Sequence, residues 1–165
     1  MALASPPGAV RQQRGFTLME LVVTLALLGV LALLAAPLSE LSLRRTKEAA
    51  LRQALHDIRA GIDRYKAAVD QGLIERRVGD SGYPPNLESL VGGVVNQKSL
   101  KKERMYFLRR IPRDPFAPPD GPPETTWGLR SYASPPDSPF PGADVFDVHS
   151  LSKDVGMNGI PYEEW

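Results

Sequence analysis

Residues 16–36 read FTLMELVVTLALLGVLALLAA, 21 positions with one formal charge, on Glu20. As an α-helix the run would be about 32 Å long, the thickness of a bilayer's hydrocarbon core. The rest of the chain is too small to wrap so apolar a segment, so the reading is a membrane-spanning helix. A secretory signal competes with it, but its apolar region is usually about 7–15 residues and ends in an A-x-A-like site. Here Leu33 and Leu34 stand two positions upstream of Ala35 and Ala36, where a small residue is wanted, and Pro37 follows. That pattern argues against ordinary signal-peptidase cleavage. Arg11 and Arg14 precede the run without an acid. They set the N-terminus in the cytoplasm and the remainder outside, in the periplasm where there is an outer membrane.

Downstream, Leu51, Leu55, Ile58, Ile62, Tyr65 and Val69 recur at spacings of 4, 3, 4, 3 and 4. This is one stripe of a helix whose other faces carry Arg52, Asp57, Arg59, Asp63, Arg64, Lys66 and Asp70. Gln71-Gly72 supplies a stop, with glycine able to take the left-handed cap. The expectation is a helix from Phe16 to position 71: an apolar half at 16–37 and an amphipathic half at 38–71 that needs a packing partner. Residues 72–165 supply that partner, with 13 of the 16 prolines and 10 of the 14 glycines. Aromatics from Tyr83 to Trp165 are spread along it and argue for order. Asn86–Val91 reads as a helical turn. Tyr106–Leu108, Trp127–Ala133 and Val145–Leu151 read as strands, and 112–126 as a loop. The expected fold class is α+β, a long N-terminal helix packed on a small antiparallel sheet with a loop-rich C-terminus.

The 165 residues carry a formal charge of +1 and no cysteine. Charge balance argues against nucleic-acid binding, and thiol catalysis and Cys-ligated metals are excluded. Arg44-Arg45-x-Lys47 reads as a solvated turn. There is no P-loop, G-x-G-x-x-G or H-E-x-x-H. Asp147, His149 and Ser150 do not form a triad, because neighbours on a strand point to opposite faces. His56 falls on the charged helix face. The expectation is a protein that is not an enzyme.

Glu20 is the exception within the apolar run. An ionisable group inside a membrane usually has a partner or a function, although the first turn of a helix also tolerates an acid. Residues 14–25, RGFTLMELVVTL, resemble the type IV pilin and pseudopilin family: a basic leader ending in Gly, then Phe, Thr-Leu and Glu at the fifth mature position. The resemblance implies that 1–15 is a leader cut by prepilin peptidase between Gly15 and Phe16, and that Phe16 is then N-methylated. It implies that Glu20 pairs with the Phe16 amine of a neighbouring subunit during assembly. Removal of the leader leaves 150 residues with a formal charge of −1 before the new amine is counted. Gly29 and Pro37 match the family as well, either as a tolerated kink or as ends of a stretch that unwinds on assembly.

GYPPNLESL (82–90), IPRDPF (111–116) and FDVHSL (146–151) resemble the major, G-type pseudopilin of type II secretion systems. This implies a homo-oligomeric helical filament, a periplasmic pseudopilus, built with other pseudopilins on an inner-membrane assembly platform, with each subunit anchored by a single pass. In Asp154-Val-Gly-Met-Asn158-Gly159, oxygens fall four positions apart before a glycine, a polar turn or the first half of a calcium loop. The resemblance implies calcium, with Asp154, Asn158 and Glu163 as ligands, although the later aspartate positions of the family are replaced by Asn158–Glu163. Two alternatives remain at this point: a minor pilin of a type IV pilus for adhesion or DNA uptake, and a monomeric, membrane-anchored periplasmic binding domain.

Overall fold

The structure, a computed structural model, describes residues 15–165, the side chains of 33–39 excepted. The expected leader up to Arg14 and the side chain of Pro37 lie outside the described residues. Two compact units divide the chain, Met1–Ser42 and Leu43–Trp165. Helix α1, Leu18–Asp70, contributes to both.

In the first unit, Thr17 stands just before α1 and its Oγ1 accepts the Glu20 N–H at 3.2 Å. This is half of a Thr-x-x-Glu capping box, which satisfies one of the four unpaired N–H groups at a helix start. Every described side chain from Phe16 to Ala32 is exposed. Among the described residues, no helix is long and apolar enough to cross a membrane; the stretch at 16–36 runs into the side chains that are not described.

In the second unit, α1 is amphipathic as its spacing requires. All six stripe residues are buried, and Ala54 and Ala68 join them. The helix ends at Gly72, whose φ of 69° is left-handed. The Gly72 N–H donates to Val69 O and the Leu73 N–H to Ala68 O, the paired bonds of a Schellman cap.

Helix α2, Glu88–Gly92, follows, with the Asn86 Oδ1 accepting the Ser89 N–H at its start. Strand β1, Val94–Val95, pairs antiparallel with β2, Arg104–Met105. Strand β3, Trp127–Arg130, pairs antiparallel with β4, Asp147–Ser150. The register sets Trp127 against Ser150 and Leu129 against Val148. Those four share one face, where Trp127, Val148 and Ser150 are buried, while Arg130, Asp147 and His149 take the other.

Three expectations need correction. The single sheet is two separate two-stranded ladders. Tyr106–Leu108 is not a strand, because the Phe107 and Leu108 N–H groups both donate to Leu90 O within α2. Within 112–126, Pro123–Thr126 forms a 3-10 turn. The strands at Trp127 and Val145 exist but are shorter than the apolar pattern suggested. The first stops at Arg130 because Asp144 Oδ1 takes the Ser131 Oγ–H and the Tyr132 N–H, turning the chain away.

Candidate functional site: the helix start and the C-terminal turn

At the start of α1, Gly15, Phe16 and Thr17 are outside the helix. A Cβ built on Gly15 would meet no neighbour among the described residues, and Phe16 is exposed. A peptide bond in such a segment can be laid into a protease cleft without unwinding a helix. Glu20 sits in the first turn, exposed, where the positive end of the helix dipole favours an anion. Around it Leu18, Met19, Leu21, Val22, Val23 and Leu25 leave apolar surface bare. So long an exposed apolar surface marks an interaction site for protein or lipid.

The C-terminal turn is the second constellation. Val155 and Pro161 form an isolated antiparallel bridge, closed by Gly156 N–H donating to Ile160 O. A 3-10 turn, Tyr162–Glu164, follows. Tyr162 is fully buried. It stacks on Phe116 with centroids 4.1 Å apart and meets the Trp165 ring edge-on at 5.0 Å. Its hydroxyl donates to Glu48 Oε1 at 2.9 Å. The same oxygen accepts the Met157 N–H at 2.8 Å. Burial pushes the Tyr162 phenol up; the Arg44 hydrogen bond opposes this and Glu48 adds to it, so the phenol stays a donor.

Glu48 is only 4% exposed. Arg44 Nε and Arg52 Nη2 each lie 3.7 Å from one of its oxygens. Arg44 Nη2 also donates to Val155 O, and the Lys47 ammonium lies over Phe116. Arg52 covers the Trp165 ring at 4.5 Å. Arg44, read from sequence as part of a solvated turn with Arg45 and Lys47, therefore grips the C-terminal segment, and Lys47 faces the ring on which Tyr162 stacks. Glu48 itself escaped the sequence reading. Its signal is positional: it lies three residues before Leu51 and seven before Leu55, so it extends the apolar stripe with a carboxylate.

The Pro-Arg-Asp-Pro-Phe element positions Phe116. Asp114 is buried, its Oδ1 accepting the Phe116 N–H at 2.8 Å and its Oδ2 the Ser150 hydroxyl at 2.6 Å. Trp127 Nε1 donates to Pro112 O at 2.8 Å. Ser150 is thus committed to Asp114, on the face opposite His149 and Asp147.

Calcium requires about six to eight oxygens, several from carboxylates. Of the expected ligands, Asn158 Oδ1 already accepts the Ile160 N–H at 3.1 Å, and Asp154 O accepts the Tyr162 N–H. The Asp154 and Glu163 side chains are exposed. Among the described residues, no three acidic or histidine side chains gather as a metal group. The residues present do not fit a calcium cage.

Residues 10–36 match the family described as the prokaryotic N-terminal methylation motif. The chain is similar to the type II secretion system core protein G of Dickeya chrysanthemi, 36% identical over 112 residues, 64% of this chain and 65% of the relative. It is 32% identical to the protein of the same name from Klebsiella pneumoniae, over 65% of this chain and 71% of that one. The Aeromonas hydrophila protein, also of that name, is 31% identical over 66% and 71%. The chain spans just under two thirds of the length of the Dickeya protein. No solved structure matches.

Proposed function

The chain belongs to the type II secretion system core protein G family, and from that premise we propose that it is a structural subunit of a type II secretion pseudopilus, polymerised through α1 to drive protein export. Prepilin peptidase cuts between Gly15 and Phe16, and the new amine is N-methylated. The subunit waits in the inner membrane with its C-terminal unit in the periplasm. It then enters a filament together with other pseudopilins, on an assembly platform that supplies the work.

The observation that carries the reading is the start of α1: a Gly15-Phe16 bond outside the helix, a Thr17 cap and Glu20 in the first turn, amid bare apolar surface. A carboxylate placed there can meet the amine of an adjoining copy. In a low-dielectric bundle, such a pair neutralises two charges that would each be costly alone. The pair also fixes the axial register of one subunit against the next. The apolar side chains then exchange lipid for protein contacts.

Intact-mass measurement of the membrane-extracted protein tests the proposal. The expected mass is that of a chain beginning at methylated Phe16. A chain that retains Met1 in cells with active prepilin peptidase refutes it.

A further inference from the structure

We propose that the C-terminal turn is fastened to α1 by the Glu48 carboxylate and the Arg44 guanidinium, and that it closes without a divalent cation. This does not depend on whether the chain polymerises.

A buried carboxylate on an apolar stripe is costly unless hydrogen-bonded and paired. Glu48 is both. Its Oε1 collects one donor from each limb of the turn, the Met157 N–H and the Tyr162 hydroxyl. A cation in such a turn works by gathering oxygens from both limbs. Here the polarity is inverted, with an anion gathering N–H and O–H donors.

Several main-chain oxygens of the turn, and Asn158 Oδ1, are spoken for in the complementary way. Val155 O faces the Arg44 guanidinium. Ile160 O accepts from Gly156 N–H and from Trp165 Nε1. Asp154 O and Asn158 Oδ1 accept backbone N–H groups. Positive charge at the turn thus comes from an arginine side chain. The packing is equally committed: a Cβ added at Gly156 would overlap Trp165 and the Asn158 side chain. Arg44, Glu48 and Arg52 stand at successive helical turns, so one face of α1 presents cation, anion and cation to the segment that Tyr162 anchors.

The test is hydrogen exchange, read by mass spectrometry on the peptide covering residues 154–165 of the full chain in detergent. It is measured with calcium and with a calcium chelator, for wild type, Glu48→Gln and Asp154→Ala. Wild type is expected to exchange at the same rate in both conditions. Glu48→Gln should exchange roughly tenfold faster or more, since it removes the charge from two hydrogen bonds. Asp154→Ala should match wild type, because the hydrogen bonds of Asp154 run through its main-chain N–H and oxygen. If Glu48→Gln does not fold, Tyr162→Phe carries the same expectation on a smaller scale. The proposal is overturned if the chelator speeds wild-type exchange, if Asp154→Ala speeds it, or if exchange in the Glu48 or Tyr162 variant equals wild type.

Discussion

Replacing Asp114 by alanine removes the acceptor of one buried and one part-buried donor. The Ser150 hydroxyl, on a fully buried residue, and the Phe116 N–H lose partners at 2.6 and 2.8 Å. The orphaned buried hydroxyl costs about 1–3 kcal/mol and the part-buried N–H less, so the variant should lose about 2–4 kcal/mol. Relief of the carboxylate's own desolvation offsets only part of this, because its hydrogen bonds already compensate it. At about 3–5 °C per kcal/mol for a unit of this size, melting should fall by roughly 6–20 °C. Asp114→Asn keeps the shape and the Oδ1 acceptor, and its NH2 can donate to the Ser150 oxygen, so it should cost only about 1 kcal/mol. The assay is thermal unfolding of the full chain in detergent, followed by tryptophan emission. Trp127 is buried with its Nε1 on Pro112 O, so it reports loss of this region. Phe116 should also lose its stack on Tyr162 in the alanine variant, loosening the C-terminal turn. Melting of Asp114→Ala within about 2 °C of wild type, or Asp114→Asn melting below Asp114→Ala, refutes the reasoning.

Glu20→Ala should still insert in the membrane yet fail to enter filaments, read by membrane fractionation and shear; normal filament incorporation removes the charge-pair mechanism. A methyl at Gly128 would overlap the His149 ring across the β3–β4 ladder, so Gly128→Ala should cost about 1–3 kcal/mol in denaturant unfolding. A cost near zero shows that the ring moves freely. Burial holds the His149 pKa below 6.5 and Arg59 adds to this, while Asp147 and Glu163 oppose it. The unfolded chain therefore binds a proton more readily, so this contribution is full above about pH 6.5 and is lost as acid passes the folded value. His149→Asn should melt with a shallower pH dependence below that point; an unchanged slope refutes the assignment.

The amphipathic half of α1 was legible because each stripe position states its own preference for burial, and six such statements at one period leave no other structure. The cap at Gly72 was legible for the same local reason. Glu48 was not, since its partners lie 109 and 114 residues away and a lone charge on a helix ordinarily reads as solvated. Tyr106-Phe107-Leu108 misled because three apolar residues in a row suit a strand. Nothing in their spacing reveals that Leu90 O, within α2, takes two of their N–H groups. The ladders are two to four residues long, too short for alternation to define their ends. At the helix start the motif was local, and the structure adds the Thr17 cap that gives Glu20 its place.

Because Arg44 and Glu48 belong to the first turns of the Leu43–Trp165 unit, trimming the protein for crystallisation has a sharp lower limit. A fragment that starts ahead of Arg44 retains both side chains that hold Tyr162. One that starts at Ala49 keeps every apolar position from Leu51 onward and looks complete by hydropathy. It nevertheless strips the anion from beneath the Tyr162 hydroxyl and the Met157 N–H, and would be purified with a frayed tail.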